Sequence, residues 1–254
     1  MINLRTTTVL YIIVIILAYL FLPWKGIFLV LFSLLYLFLL AYSSFTIGSN
    51  FYLKTLCSGN IKESKIAITF DDGPHAEITP EILNLLDLYN AKATFFCIGQ
   101  KIESNKDLLL EIDKRGHLIG NHTYSHSHGK NLFSSKSLAD DIQKNQELIL
   151  EITGKKAKLF RPPFGVTNPP IAKALRNFNF HVIGWSLRSF DTIHEPEKVI
   201  RKVKKRVKNG DIILFHDNRF NSIEIVKSVL EYLKSNNYKI IRVDELLEIT
   251  AYDK

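Results

Sequence analysis

Ile66-Ala-Ile-Thr-Phe-Asp-Asp-Gly-Pro74 is a short apolar run that stops at two adjacent carboxylates and a turn. Ile66, Ile68 and Phe70 alternate with smaller residues, the pattern of a strand of about five residues. Gly73-Pro74 turns the chain out of it. Asp71 and Asp72 therefore stand at the C-terminal lip of a strand. Successive side chains of extended chain point to opposite sides, so the two acids can serve two partners, such as a cation and a water. Taken alone, such a turn is more often a pair of solvated acids, and the rest of the chain decides between the two readings.

Working outward, strand and helix signals alternate from residue 66 to the end. The candidate strands are Ile66–Phe70, Ala93–Ile98, His117–Ile119, Lys158–Arg161, Phe180–Trp185, Asp211–Phe215 and Tyr238–Val243. Between them, Thr79-Pro80, Ser137 with Asp140, Pro169-Pro170 and Pro196 open helices. Gly116, Gly154 and Gly210 stand where helices stop. A run of β/α units with apolar, poorly alternating strands predicts an α/β fold, a parallel sheet buried on both faces by helices, with room for a closed or nearly closed barrel. In such folds functional groups collect at the C-terminal strand ends. Asp71 and Asp72, then His122 and His126, then Arg161 to Gly165, then Trp185 and Asp191, then His216 all fall there.

The front of the chain is different. Thr6 to Trp24 and Gly26 to Leu53 carry no charge, and each is long enough to cross a bilayer at roughly 20 residues per span. Pro23-Trp24-Lys25-Gly26 separates them, so residues 1–53 read as a two-helix transmembrane anchor with Trp24 and Lys25 at the interface. A cleaved signal is the competing reading for the first run, but no small-residue cleavage site follows it. Residues 54–64 read as a polar linker and 65–254 as one α/β domain. Arg5, Lys54, Lys62 and Lys65 against Lys25 favour a cytoplasmic domain by the positive-inside count; a substrate outside the cell favours the extracytoplasmic side, which is the expectation adopted.

The formal net charge is +8. The basic run Arg201 to Lys208 has Val199, Ile200, Val203 and Val207 among its charges at helical spacing, which marks a solvated face of an amphipathic helix and not a nucleic-acid interface. Cys57 and Cys97 are in no paired motif, and Cys97 reads as a packed core thiol.

His122 and His126 stand four apart, which on a helical turn places both imidazoles on one face within reach of one ion. Two histidines plus a carboxylate form a common catalytic zinc set that leaves one position open. Asp72 supplies the third ligand in this reading, with Asp71 beside the attacking water as general base. His117 and His128 are assigned no such role. His216 is a proton donor to a leaving group. Arg161 offers a planar fork to hold Asp71 ionised, and the stiff Arg161-Pro-Pro-Phe-Gly165 loop can aim the Phe164 N–H at an oxyanion.

Thr69-Phe-Asp-Asp-Gly-Pro74, His122-Thr-Tyr-Ser-His126, Arg161-Pro-Pro-Phe-Gly165 and Leu214-Phe-His216 resemble, in order and spacing, the motifs of the polysaccharide deacetylase family, the NodB-homology or carbohydrate esterase 4 group. The resemblance implies a distorted (β/α)7 barrel, a divalent metal, usually zinc, and hydrolysis of the N-acetyl group of an amino-sugar polymer. It implies Asp71 as base, Asp72, His122 and His126 as metal ligands, Arg161 as orienter, Phe164 as oxyanion donor and His216 as acid. One motif departs: in Trp185-Ser-Leu-Arg188-Ser-Phe-Asp191-Thr192, Asp191 remains to tune His216, but Arg188 and Thr192 replace an acid and an aromatic. That alters the sugar-facing wall around Trp185. The expected partners are an N-acetylated polysaccharide and membrane lipid, without nucleic acid. The alternatives are a hydrolase of another amide or ester, and a catalytically silent carbohydrate-binding relative.

Overall fold

The structure is a computed structural model that describes residues 3–127, 129 and 134–253; His128 lies outside the described residues. Its strands are β1 (Lys65–Asp71), β2 (Thr94–Cys97), β3 (Leu118–Asn121), β4 (Leu159–Phe160), β5 (His181–Val182), β6 (Leu187–Arg188), β7 (Ile212–His216) and β8 (Lys239–Ile240). They form one parallel sheet in the order β5-β4-β3-β2-β1-β7-β6, with β8 pairing the start of β1. The two ends of that path are consecutive in the chain, joined by residues 183–186. The strand predicted over Phe180–Trp185 thus leaves β4 as β5, bends, and rejoins β7 as β6, so the chain itself completes a distorted (β/α)7 barrel.

The helices are α1 (Leu4–Phe21), α2 (Lys25–Phe45), α3 (Ile78–Leu88), α4 (Gly99–Ser104), α5 (Lys106–Lys114), α6 (Ser135–Thr153), α7 (Pro169–Ala174), α8 (Pro196–Arg206), α9 (Asn221–Ser235) and α10 (Val243–Leu247). In β1 the period of two sorts the side chains. Ile66, Ile68 and Phe70 pack outward with Ile82, Leu83, Val226 and Leu230 of α3 and α9. Ala67, Thr69 and Asp71 face the barrel interior, where Ala67 shares a cluster with Phe96, Leu159 and Ile183. In-register pairing sets Asp71 beside Phe96 of β2 and His216 of β7, so the opening stretch fixes which residues meet at the rim.

Helix boundaries follow caps, with two corrections. Asn168 caps α7 ahead of Pro169, and Gly154 closes α6 in the left-handed conformation at φ 69°. The cap of α6 is Ser134 and not Ser137, whose N–H it accepts at 3.3 Å. Thr79 does not cap α3, because its hydroxyl donates to buried Asp217 at 2.6 Å.

Residues 54–64 are held along the barrel. The Leu56 N–H donates to Val182 O, and Leu56 O accepts from Gly184 N–H, both at 2.8 Å. Leu56 thereby takes up the backbone groups freed where β5 bends toward β6. Helices α1 and α2 pack as a hairpin, with Tyr11 stacked on Tyr36 at 4.2 Å and Thr8 bonded to the Tyr36 hydroxyl at 2.7 Å. Most of their apolar side chains face outward, Leu20 and Phe38 being 64% and 66% exposed. In the last turn of α2, Ser44 O accepts from the Thr167 N–H at 2.9 Å, so the end of the hairpin sits against the loop that follows β4.

Candidate active site

Asp71 is buried at the end of β1, and its Oδ1 accepts from Arg161 Nη1 at 2.7 Å. Arg161 is fully buried, and its other donors go to Thr69 Oγ1 at 2.9 Å, Ile183 O at 3.1 Å and Gly184 O at 2.8 Å. Its guanidinium lies 4.1 Å from the Phe96 ring centroid. With all three guanidinium nitrogens bonded, Asp71 Oδ1 is held in one place. The second oxygen, Oδ2, points toward His122 Nε2, 3.8 Å away.

Asp72 follows with φ 74°, a turn that swings its carboxylate off the strand axis. Its Oδ1 lies 3.6 Å from His122 Nε2 and 3.5 Å from His126 Nε2, and the three ligand atoms lie within 4.8 Å of one another. His122 Nδ1 donates to Arg161 O at 2.7 Å, which leaves the Nε2 lone pair facing Asp72. Burial, then the nearby His126, lowers the His122 pKa to about 3, so the ring is neutral and a metal ligand by character. Asp72 Oδ1 is buried and makes no hydrogen bond. A buried carboxylate oxygen facing two imidazoles fits a divalent cation, and Asp72, His122 and His126 are the residues to hold it.

The helical turn expected for His122 and His126 is absent. They lie on an irregular loop with φ 64° at Thr123 and 48° at His126. Side chains replace the helical bonds: Asn121 Oδ1 accepts from Thr123 N–H at 2.9 Å, and Asp141 Oδ2 accepts from Ser125 N–H at 3.2 Å. The i,i+4 spacing predicts the right pair through the wrong backbone.

Across the cleft, His216 Nδ1 bonds Asp191 Oδ1 at 2.9 Å, and the His216 N–H donates to Asp191 Oδ2 at 2.7 Å. Burial acts to lower the His216 pKa, but the hydrogen bond and charge of Asp191 outweigh it, and the net shift is upward. Phe164 is in the left-handed region at φ 60° and packs its ring 4.5 Å from that of His126. Trp185, Arg188, Thr192 and Phe164 line the same cleft of about 360 Å³. Every site residue expected from sequence thus borders one space or supports it. His117 is apart, buried and accepting the Ala93 N–H at 3.1 Å.

Of the two residues after His216, sequence reasoning placed Asp217 at the rim without a role and passed over Asn218. Asn218 donates to Asp72 Oδ2 at 3.2 Å. Asp217 is buried beneath Gly73, and burial raises its pKa to about 7. Their place directly after a rim histidine was the available signal. A Cβ on Gly165, at φ 67°, would lie 2.2 Å from Trp185 Cη2. Gly165→Ala is expected to displace Trp185 and to destabilise the fold by about 1–3 kcal/mol, read by tryptophan fluorescence and thermal unfolding.

An α/β barrel carrying a histidine and carboxylate metal set with a flanking base and acid is the architecture of a hydrolase. The family model for polysaccharide deacetylase matches residues 58–183. A peptidoglycan-N-acetylglucosamine deacetylase of Bacillus cereus is 36% identical over 196 residues, spanning 73% of this chain and 89% of that protein. The peptidoglycan-N-acetylglucosamine deacetylase PgdA of Listeria monocytogenes is 31% identical over 183 residues, 72% of this chain but 38% of that longer protein. The solved chitin deacetylase of the fungus Colletotrichum lindemuthianum superimposes with a TM-score of 0.72 at 26% identity, over 79% of this chain and 95% of that one. The chain belongs to the polysaccharide deacetylase family. It is a metal-dependent hydrolase of N-acetyl groups on amino-sugar residues.

Proposed function

We propose that this chain is a membrane-anchored deacetylase acting on N-acetylated amino sugars of a cell-envelope glycan, with peptidoglycan first among candidates, and that Zn²⁺ is its metal. The observation that carries the reading is Asp71, fixed by Arg161 on one oxygen with the other turned toward the Asp72–His122–His126 cluster. Two imidazoles and one carboxylate favour zinc over harder cations. The relatives named for peptidoglycan support the substrate class. The exposed apolar faces of α1 and α2 support an anchor over residues 1–53, and a cell-envelope substrate supports an extracytoplasmic barrel from residue 65.

Asp72, His122 and His126 would hold the divalent cation, which would supply polarisation of the acetyl carbonyl and a lowered pKa for water. Asp71 Oδ2 accepts the proton of the attacking water, while Arg161 holds Asp71 Oδ1 in place. The Phe164 N–H donates to the carbonyl oxygen as negative charge develops there. His216 gives its proton to the departing sugar amine, and Asp191 holds the imidazole in the tautomer that does so. Trp185 forms the wall against which the sugar ring rests. The test is acetate release from peptidoglycan and from N-acetylglucosamine oligomers, abolished by a chelator and restored by Zn²⁺; a metal-loaded protein that releases no acetate from either overturns the reading. Reporter fusions after residue 54 and at the C-terminus check the topology.

A pH dependence follows from His216. A general acid works while protonated, so its upward shift carries activity to higher pH. Asp191→Asn removes the charge that opposes burial, and the alkaline limb of kcat/KM is expected to move to lower pH. A limb that stays in place assigns it to another group.

A further inference from the structure

Beside the catalytic cleft lies a second cavity of about 420 Å³, and Trp185 and Arg188 line both. Its outer cations are Lys202 and Arg206, one turn apart on α8, and its far wall is the end of α2 with the turn that follows, Phe45 to Gly48. Among the described residues no carboxylate lines it. Arg206 also borders a depression containing Asp211, but the oxygens of that carboxylate accept from the Ser186 hydroxyl at 2.6 Å and the Lys208 N–H at 2.7 Å.

The cations are held in place by aromatic surface. Arg188 sits 4.8 Å and Lys202 3.6 Å from the Phe190 ring centroid. Arg188 Nε is buried and makes no hydrogen bond. The Lys202 pKa is lowered, first by burial and then by the charges of Arg206 and Arg188. Three like charges crowded without a counter-charge repel one another in the free protein, and a bound anion relieves that repulsion. Arg188 is also a residue that departs from the family resemblance, standing where an acid is usual.

We propose that this cavity is a phosphate-binding subsite, holding a phosphoryl group on the substrate next to the sugar whose acetyl group is removed. The inference rests on the deacetylase reading and narrows it to phosphorylated amino-sugar glycans. Two guanidinium forks and an ammonium suit a phosphate ester, which accepts several charge-assisted hydrogen bonds at once. The cavity lies at the end of the apolar hairpin, so the phosphate reaches it either on a soluble glycan or on a glycan linked to a lipid carrier.

The experiment measures acetate release by the full chain reconstituted in phosphatidylcholine vesicles, on an N-acetylglucosamine disaccharide, its soluble 1-phosphate, and the same phosphorylated disaccharide linked to a polyprenyl chain in the bilayer. The expected kcat/KM is at least about tenfold higher for the phosphorylated forms than for the neutral sugar, carried mainly by KM. The double variant Lys202→Gln/Arg206→Gln is expected to bring that ratio close to one, and Lys202→Arg to keep it. Equal preference for the two phosphorylated forms assigns the site to soluble phosphoglycans, and preference for the polyprenyl form assigns it to lipid-linked ones. No preference in the unmodified chain, or an equal fall on all three substrates in the double variant, overturns the proposal. Turnover of the neutral disaccharide reports the deacetylase reading separately.

Discussion

Asp71→Asn is expected to lower kcat for acetate release by a factor of about 10² to 10⁴, the usual contribution of a positioned base, while metal content stays at the level of the unmodified protein. Asn keeps the shape of the side chain and an oxygen that still accepts from Arg161 Nη1, the bond made at 2.7 Å in the native site. What it loses is the proton-accepting oxygen facing the cluster. Asp72, His122 and His126 retain their positions, because the bonds that place them run through Asn218 Nδ2, Arg161 O and Thr123 Oγ1 and not through Asp71. The two readouts therefore separate. Metal analysis of the purified variant beside an acetate assay checks both, and a variant that turns over at more than about a tenth of the native rate removes Asp71 from the role of base. Loss of metal together with activity would make Asp71 a ligand instead.

The opening stretch disclosed more of this arrangement than its length suggests. Alternation of Ile66, Ile68 and Phe70 sorts β1 into a face packed under α3 and α9 and a face turned inward, and the inward set ends on Asp71. Parallel pairing then brings His216 alongside without further information. The bend between β5 and β6 was not legible, since Phe180 to Trp185 reads as one apolar strand, and what divides it is a change of partner from β4 to β7. Nor could sequence reveal that Leu56, in a stretch that reads as a linker, supplies the backbone groups at that bend. Non-local bonds of this kind leave no periodic mark. The loop that presents His122 and His126 was misread for a related reason: Asn121 and Asp141 stabilise positive-φ backbone through side chains that are distant in sequence or lack helical spacing. Asn218 escaped notice because a single amide beside a motif histidine has no pattern of its own.

Arg161→Met is expected to destabilise the fold by about 3–5 kcal/mol, the range for removing one partner of a buried ion pair, and to lower the thermal midpoint by about 10 °C for a domain of this size. The side chain is fully buried and makes four hydrogen bonds, to Asp71, Thr69, Ile183 O and Gly184 O. Methionine fills much of the volume but satisfies none of these. Asp71 is then a buried carboxylate without its cation, and the two carbonyls at the bend where the chain passes from β5 to β6 lose their donors. Two consequences can be told apart. If the uncompensated charge dominates, Asp71→Asn/Arg161→Met should lose less stability than the sum of its single variants, with a coupling of about 1–3 kcal/mol. If the orphaned carbonyls dominate, the double variant should be as unstable as Arg161→Met. Arg161→Lys distinguishes them again, since an ammonium can neutralise Asp71 but cannot span Asp71 and both carbonyls with a rigid fork. The fork reaches outward to Asp71 and inward to the closing segment of the barrel, so the group that orients the base also fastens the wall behind Trp185. Thermal unfolding of the four proteins gives the partition, and a loss below about 1 kcal/mol for Arg161→Met would mean that Asp71 finds its counter-charge elsewhere.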